Sequence, residues 1–170
     1  MCGFLISISK KNINHNNFAN SFEKIRHRGT DGQIIKNLSL NLKDGQKINI
    51  SYGFARLSIQ DPLPRSNQPF IRDNKKYLFF NGEIYNFRDL ANLENFNLKT
   101  KSDTEVLLNM LEKYNFDVFE KLNGMWSLTL LNLEKNFLLI SRDRYGVKPL
   151  FYYKDENTIT ISSNIASIKN

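Results

Sequence analysis

The sequence predicts an α+β fold with mostly antiparallel sheets, and three observations lead there. Short apolar runs of strand length recur at the start, middle and end of the chain: GFLISIS, KINISYGFARLSI, KYLFF, MWSLTLLNL, FLLISRD and TITISS. Helical patterning is confined to three stretches, near 18–27, 86–93 and 102–122. Strands and helices also fail to alternate regularly, as the crossovers of a parallel sheet would require.

The elements follow in order. GFLISIS, Gly3 to Ser9, is a mostly apolar strand that starts directly after Cys2. A polar stretch, KNINHNN, leads into FANSFEKIRH, where Phe18, Phe22 and Ile25 recur at helical spacing, and this helix runs out at the Gly-rich turn HRGTDG. GQIIKNLSLNL and KINISYGFARLSI are strands joined by Lys43-Asp44-Gly45-Gln46, whose Asp-Gly suits a hairpin. DPLPRSNQP carries three of the four prolines and reads as an irregular loop. KYLFF is a buried-type strand predicted to end at Asn81-Gly82. NFRDLANL and SDTEVLLNMLEKYNFDVFEKL read as helices, the second capped by Ser102 or Asp103 with Glu105 as an early-turn acid.

Strands return with MWSLTLLNL, a turn at Glu134-Lys135-Asn136, FLLISRD, the loop RYGVKP, and the pair LFYYK and TITISS around DENT. Trp126, Phe79, Phe80, Phe151, Tyr152 and Tyr153 lie in these runs and read as core or sheet-face residues. No repeat, linker or low-complexity segment divides the chain, so residues 1–170 read as one domain with a core that needs no disulfide or structural metal.

Composition excludes several classes. A single cysteine permits neither an internal disulfide nor a cysteine-rich zinc site, and no metal site is expected. The first ten residues lack the basic leader and long apolar stretch of a signal peptide, and no run approaches the ~18 apolar residues of a membrane span. The expectation is a cytoplasmic protein without a membrane partner. The net charge of +7 raises nucleic-acid binding, but Lys10-Lys11, Lys75-Lys76 and Lys99 with Lys101 are small, scattered clusters with no interleaved aromatic residues. Solvated surface lysine is the simpler reading, and no nucleic-acid partner is expected.

Cys2 is either a small buried hydrophobe or a reactive thiol. Its position favours the second reading, because removal of Met1 would place a thiol and a free α-amino group on one residue. An α-amine with an ordinary pKa of ~7.7 to 8.0 can serve as base for a thiol of ~8.5. Such a thiolate would attack an acyl carbon, and the resulting oxyanion would need fixed donors. Asn81 and Gly82, a side-chain amide next to a glycine N–H, are the candidates.

Taken together, MCGF, HRGTDG, ARLSI, NGEIYN, SDTEVLL, LNGMWSLTL and RDRYGVKPLFYY resemble the glutamine-hydrolysing domain of the asparagine synthetase family. This is a class II glutamine amidotransferase domain with the N-terminal nucleophile hydrolase fold, and the resemblance runs from Cys2 to about Ser163. It implies a four-layer αββα sandwich of two antiparallel sheets. It also implies hydrolysis of L-glutamine to L-glutamate and ammonia through a γ-glutamyl thioester on Cys2, with the Cys2 amine as acid and base and Asn81 and Gly82 as the oxyanion hole.

By the same resemblance Arg56 grips the substrate carboxylate, a task suited to a guanidinium fork. Asp103 and Glu83 receive the ammonium, and Leu57, Ser58, Ile59 and Gln60 wall the pocket. Asp103 could equally be a helix cap, and both roles can coexist. His27 and Arg28 read as residues that shape the site, and Gly146 and Pro149 as fixing a turn behind it.

The domain itself needs no cofactor. ATP and Mg are expected only in an ATP-dependent synthetase domain, absent from these residues and supplied in cis or as a partner chain; a homodimer is left open. Thr30 stands where the family usually has proline, and Asn164 where it usually has an acid. The alternatives are ammonia supply to a different acceptor, or a glutamine-binding or scaffolding module that does not hydrolyse its ligand.

Overall fold

The computed structural model describes residues 1–42 and 45–168. Nine strands form two antiparallel sheets among these residues. The first sheet has the order β2-β3-β1-β9-β8, with β1 at Gly3–Ser9, β2 at Gly32–Asn41, β3 at Lys47–Arg56, β8 at Phe151–Lys154 and β9 at Thr158–Ser162. The second has the order β4-β5-β6-β7, with β4 at Phe70–Arg72, β5 at Lys76–Ile84, β6 at Gly124–Asn132 and β7 at Phe137–Arg142. Four helices complete the fold: α1 at His15–Arg26, α2 at Phe87–Leu93, α3 at Asp103–Tyr114 and α4 at Val118–Lys121.

The period-2 geometry of the strands sorts their side chains into layers. In β1, Phe4 and Ile6 join Tyr52, Phe54, Tyr77, Phe79 and Ile161 in the cluster between the sheets. Leu5, between them in sequence, turns the other way and packs with Phe18, Phe22 and Ile25 of α1. In β5, Tyr77 and Phe79 face the first sheet, while Leu78 and Phe80 pack with Leu90, Leu107 and Leu111 of α2 and α3. The order α1, sheet, sheet, α2–α4 is the four-layer αββα sandwich.

The register fixes where the site can form. Gly3 pairs with Ala55, so Cys2 lies beside the C-terminal end of β3, next to Arg56. Four departures from the sequence pattern matter. β5 does not stop at Asn81-Gly82 but runs on to Ile84, because Asn81, Gly82, Glu83 and Ile84 stay in register with Ser127, Trp126, Met125 and Gly124 of β6. The single helix predicted over 102–122 is two helices, interrupted where Asn115 takes φ +50°. Such a backbone ends a helix and is tolerated by asparagine better than by most residues. β4 is too short to show a pattern. α1 begins three residues before the predicted Phe18, capped by the Asn14 side chain, which accepts from Asn17 N.

β2 and β3 pair as predicted, from Gly32 with Arg56 to Asn41 with Lys47. Lys43 and Asp44 of the turn lie outside the described residues. Lys75 and Lys76 pair with Glu134 and Glu112 rather than joining a basic surface. No helix among the described residues is long and apolar enough to cross a membrane.

Candidate active site

A cleft of about 70 Å³ opens at the end of the sandwich where β1 begins and β3 ends, and it gathers residues far apart in sequence: Cys2, Arg56, Asn81, Gly82 and Asp103. The Cys2 thiol is held against Leu57, whose amide donates to Sγ at 3.3 Å while Sγ–H faces the Leu57 carbonyl at 3.5 Å. Burial pushes the thiol pKa up, against the Leu57 hydrogen bond, the N-terminal ammonium and Arg56, which pull it down. In this structure Cys2 is preceded by Met1, whose thioether meets Lys148 Nζ at 2.9 Å.

The HRG turn that follows α1 supports Cys2 from behind. Arg28 Nε donates to the Cys2 carbonyl at 3.1 Å. Gly29 lies on the end of β3 so closely that a Cβ would stand 2.2 Å from the Ala55 carbonyl carbon, so only glycine fits. Asp31 then accepts from Ser58 N at 2.6 Å, and Thr30 donates to Asp31. The HRG turn packs against the end of β3 as a shaping element would, and Arg28 also touches the Cys2 main chain.

Arg56 is buried and already engaged. Nη1 donates to Asn67 Oδ1 at 2.6 Å and to the Leu63 carbonyl at 3.3 Å, and Nη2 donates to the Asp61 carbonyl at 2.6 Å. A guanidinium has five N–H donors, so two remain among the described contacts, the number a carboxylate fork takes. Asp61 organises the loop that grips Arg56. Its carboxylate accepts from Arg65 Nε, Lys101 N and Leu63 N, the Arg65 bond foremost, and these hold it well below the usual carboxylate range.

Asn81 is 1% exposed and its Nδ2 donates to Ser127 Oγ at 3.4 Å, leaving its second N–H without a partner among the described contacts. A Cβ on Gly82 would come within 2.2 Å of the Met125 carbonyl oxygen, so the β5–β6 pairing itself requires glycine there. Glu83 accepts from Gln60 Nε2 at 3.2 Å.

Asp103 is 4% exposed, and its pKa is pushed up to about 6, by burial first and by the nearby Glu83 charge, against hydrogen bonds that include Ile84 N at 3.0 Å. The cap of α3 is Ser102, which accepts from Thr104 N. Asp103 instead turns its carboxylate to β5. Glu105, the early-turn acid, binds back to Lys99 N and Thr100 N.

Leu57, Ile59, Gln60 and Glu83 line the cleft, but Ser58 does not. Its amide is tied to Asp31, and Ile59 N donates to the Leu57 carbonyl at 3.1 Å, so Ser58 stands at the apex of a tight turn beside the cleft. Sequence reading missed Lys148, which is 6% exposed and lines the cleft together with Met1 and Met125. It comes from the RYGVKP turn, wound around the buried Asp143 carboxylate. That carboxylate accepts from the amides of Trp126, Tyr145, Val147 and Lys148. A signal was present: a lysine inside an otherwise Gly- and Pro-fixed turn. Among the described residues no group of three or more His, Cys, Asp or Glu could hold a metal ion.

The fold is shared with solved structures. Glutamine phosphoribosylpyrophosphate amidotransferase from B. subtilis superimposes with a TM-score of 0.71 at 16% identity, over 97% of this chain and 42% of that one. A structure described as the allosteric regulatory enzyme of purine biosynthesis gives 0.72, again at 16% identity. The likeness to both is one of fold, the two-sheet sandwich with flanking helices. A profile of the glutamine amidotransferase domain family matches residues 1–170, and the chain belongs to that family.

The sequence relatives are longer proteins. Glutamine-hydrolysing asparagine synthetase 2 of Bacillus subtilis is 37% identical over 70% of this chain and 16% of its own length. The human glutamine-hydrolysing asparagine synthetase is 34% identical over 75% of this chain and 22% of its own. A Methanocaldococcus jannaschii protein, provisionally named a glutamine-hydrolysing asparagine synthetase, is 34% identical over 99% of this chain and 35% of its own length. The chain thus spans about a third or less of the relatives it matches.

Proposed function

We propose that this domain hydrolyses L-glutamine to L-glutamate and ammonia, and that the ammonia passes to an ATP-dependent synthetase domain that forms asparagine. The observation that carries the reading is the convergence of Cys2, Arg56, Asn81-Gly82 and Asp103 on one cleft from four separate segments.

With Met1 removed, the Cys2 α-amine takes the thiol proton and the thiolate attacks the glutamine carboxamide carbon. Asn81 Nδ2–H and the Gly82 N–H receive the oxyanion. The amine returns its proton to the leaving nitrogen, the C–N bond breaks, and ammonia departs from a γ-glutamyl thioester. Water, deprotonated by the same amine, then adds to the thioester and releases glutamate. Arg56, with its two remaining donors, holds the substrate carboxylate, and Asp103 and Glu83 hold its ammonium, while Leu57, Ile59 and Gln60 close the walls. A zwitterion requires both signs of charge, and the cleft offers both.

The synthetase half of the reaction, with ATP and Mg, belongs to a domain in cis or in a partner chain; the length of the asparagine synthetase relatives supports the arrangement in cis. The test is intact mass before and after a glutamine-like diazo-ketone. A chain that begins at Cys2, gains one adduct, and loses that reactivity as Cys2→Ala supports the reading. A processed chain that neither reacts nor releases ammonia from glutamine overturns it.

A further inference from the structure

Lys148 is the one cation in the cleft that no oxygen acceptor holds among the described contacts. Its ammonium meets only the Met1 thioether, at 2.9 Å. Its backbone, by contrast, is fixed on both sides: Lys148 N donates to Asp143 Oδ2 at 3.0 Å, and Arg142 Nε donates to the Lys148 carbonyl at 2.6 Å. A rigid turn thus presses a buried ammonium against the residue that must leave before Cys2 can have a free amine.

The charged groups facing this pair come from every neighbouring element. Arg28, after α1, Glu83, on β5, and Asp143, after β7, act on Lys148, as does Cys2 itself. Arg56 and Asp103 act on Cys2 in addition. Burial and Arg28 lower the pKa of the Lys148 ammonium, while Glu83, Asp143 and Cys2 favour its charge.

We propose that Lys148 is a positioning residue for the nucleophile: once Met1 is gone, its ammonium faces the new Cys2 α-amino group and disfavours a second positive charge there, keeping that amine available as a base near neutral pH. A like charge at close range does this wherever water is excluded. Arg28, whose Nε donates to the Cys2 carbonyl, places a second positive charge near that amine. The same charge favours the thiolate. The proposal rests on the glutamine-hydrolysis reading for its purpose, but not for its test.

The experiment uses the full chain with Cys2 generated as the first residue by cleavage of a leader placed directly before it. Cys2 is the only cysteine, so alkylation by iodoacetamide gives one adduct per chain and reports the thiolate directly. The rate is followed from pH 5 to 10 for the parent, Lys148→Met and Lys148→Arg. Removing the charge is expected to move the alkylation midpoint up by about one pH unit and slow alkylation about tenfold at pH 7, and to raise the α-amine titration midpoint, read by NMR of the 15N-labelled cysteine, by a similar amount, with Lys148→Arg restoring both parent profiles.

Lys148→Gln, held to the same shift, replaces Lys148→Met if the latter does not fold. Superimposable profiles, or a midpoint moved to lower pH, overturn the proposal. Glutamine turnover is measured in parallel. A shift in alkylation without any turnover in the parent would remove the glutaminase reading and leave the role of Lys148 standing.

Discussion

Two loops of the cleft are built on one plan and end differently. The loop over residues 57–69 winds around Asp61, and the turn over 143–149 winds around Asp143; each buried carboxylate gathers nearby donors, and each loop holds a cation at the cleft. The first closes its carbonyls on Arg56 and leaves two donors. The second uses Arg142 to hold its own carbonyls, at Lys148 and Gly146, and leaves the whole Lys148 ammonium unclaimed by oxygen among the described contacts. A cation engaged by carbonyls has fixed geometry and suits recognition. One held only through its backbone acts at short range by charge.

The largest expected effect tests the premise that both loops serve Cys2. Cys2→Ala should lower glutamine turnover by at least about 10³-fold while thermal unfolding stays near that of the parent, since the substitution removes one half-buried sulfur. Retained turnover would sever the comparison from catalysis.

Arg56→Lys comes next. A point charge cannot hold three loop acceptors and a carboxylate together, so KM for glutamine should rise about 100-fold, with a smaller change in kcat. An unchanged KM would move the carboxylate contact elsewhere.

The two central aspartates should differ in stability. In Asp143 each oxygen accepts two backbone amides, so Asp143→Asn must turn an NH₂ toward two donors and should cost about 3 kcal/mol by denaturant unfolding. In Asp61 one oxygen accepts only Leu63 N, at 3.4 Å, so Asp61→Asn can place its NH₂ there and should cost about 1 kcal/mol. Equal losses would mean that the loops are not organised by these carboxylates. Both groups have depressed pKa values, so their stabilisation is complete above about pH 4 and lost as pH falls through the lower folded values.

The smallest effect is a pH dependence at Asp103. Its raised pKa of about 6 means the carboxylate is neutral in acid. Glutamine affinity, measured by calorimetry, should therefore fall below pH 6 and be about tenfold weaker at pH 5 than at its plateau. Asp103→Asn should flatten that profile. The folding linkage has the opposite sign: ionising a carboxyl whose folded pKa is raised costs stability as pH rises from about 4 to 6.

Much of this molecule was legible in the chain. The strands of 3–9, 32–41 and 47–56 follow from apolar runs bounded by turns, because a residue's two-faced burial is written in its own type. The site residues Cys2, Arg56, Asn81, Gly82 and Asp103 stood out by chemistry and family pattern, and the fold brings all five to one cleft. What the sequence could not decide was contact. The continuation of β5 to Ile84 depends on β6, 40 or more residues away. Ser58 stays outside the cleft because Asp31 claims its amide, and Lys148 is inside because four amides close a turn around Asp143. Local pattern records which side of an element is apolar; only packing records which distant group fills a given donor, and in this protein those distant partners determine which charges face Cys2.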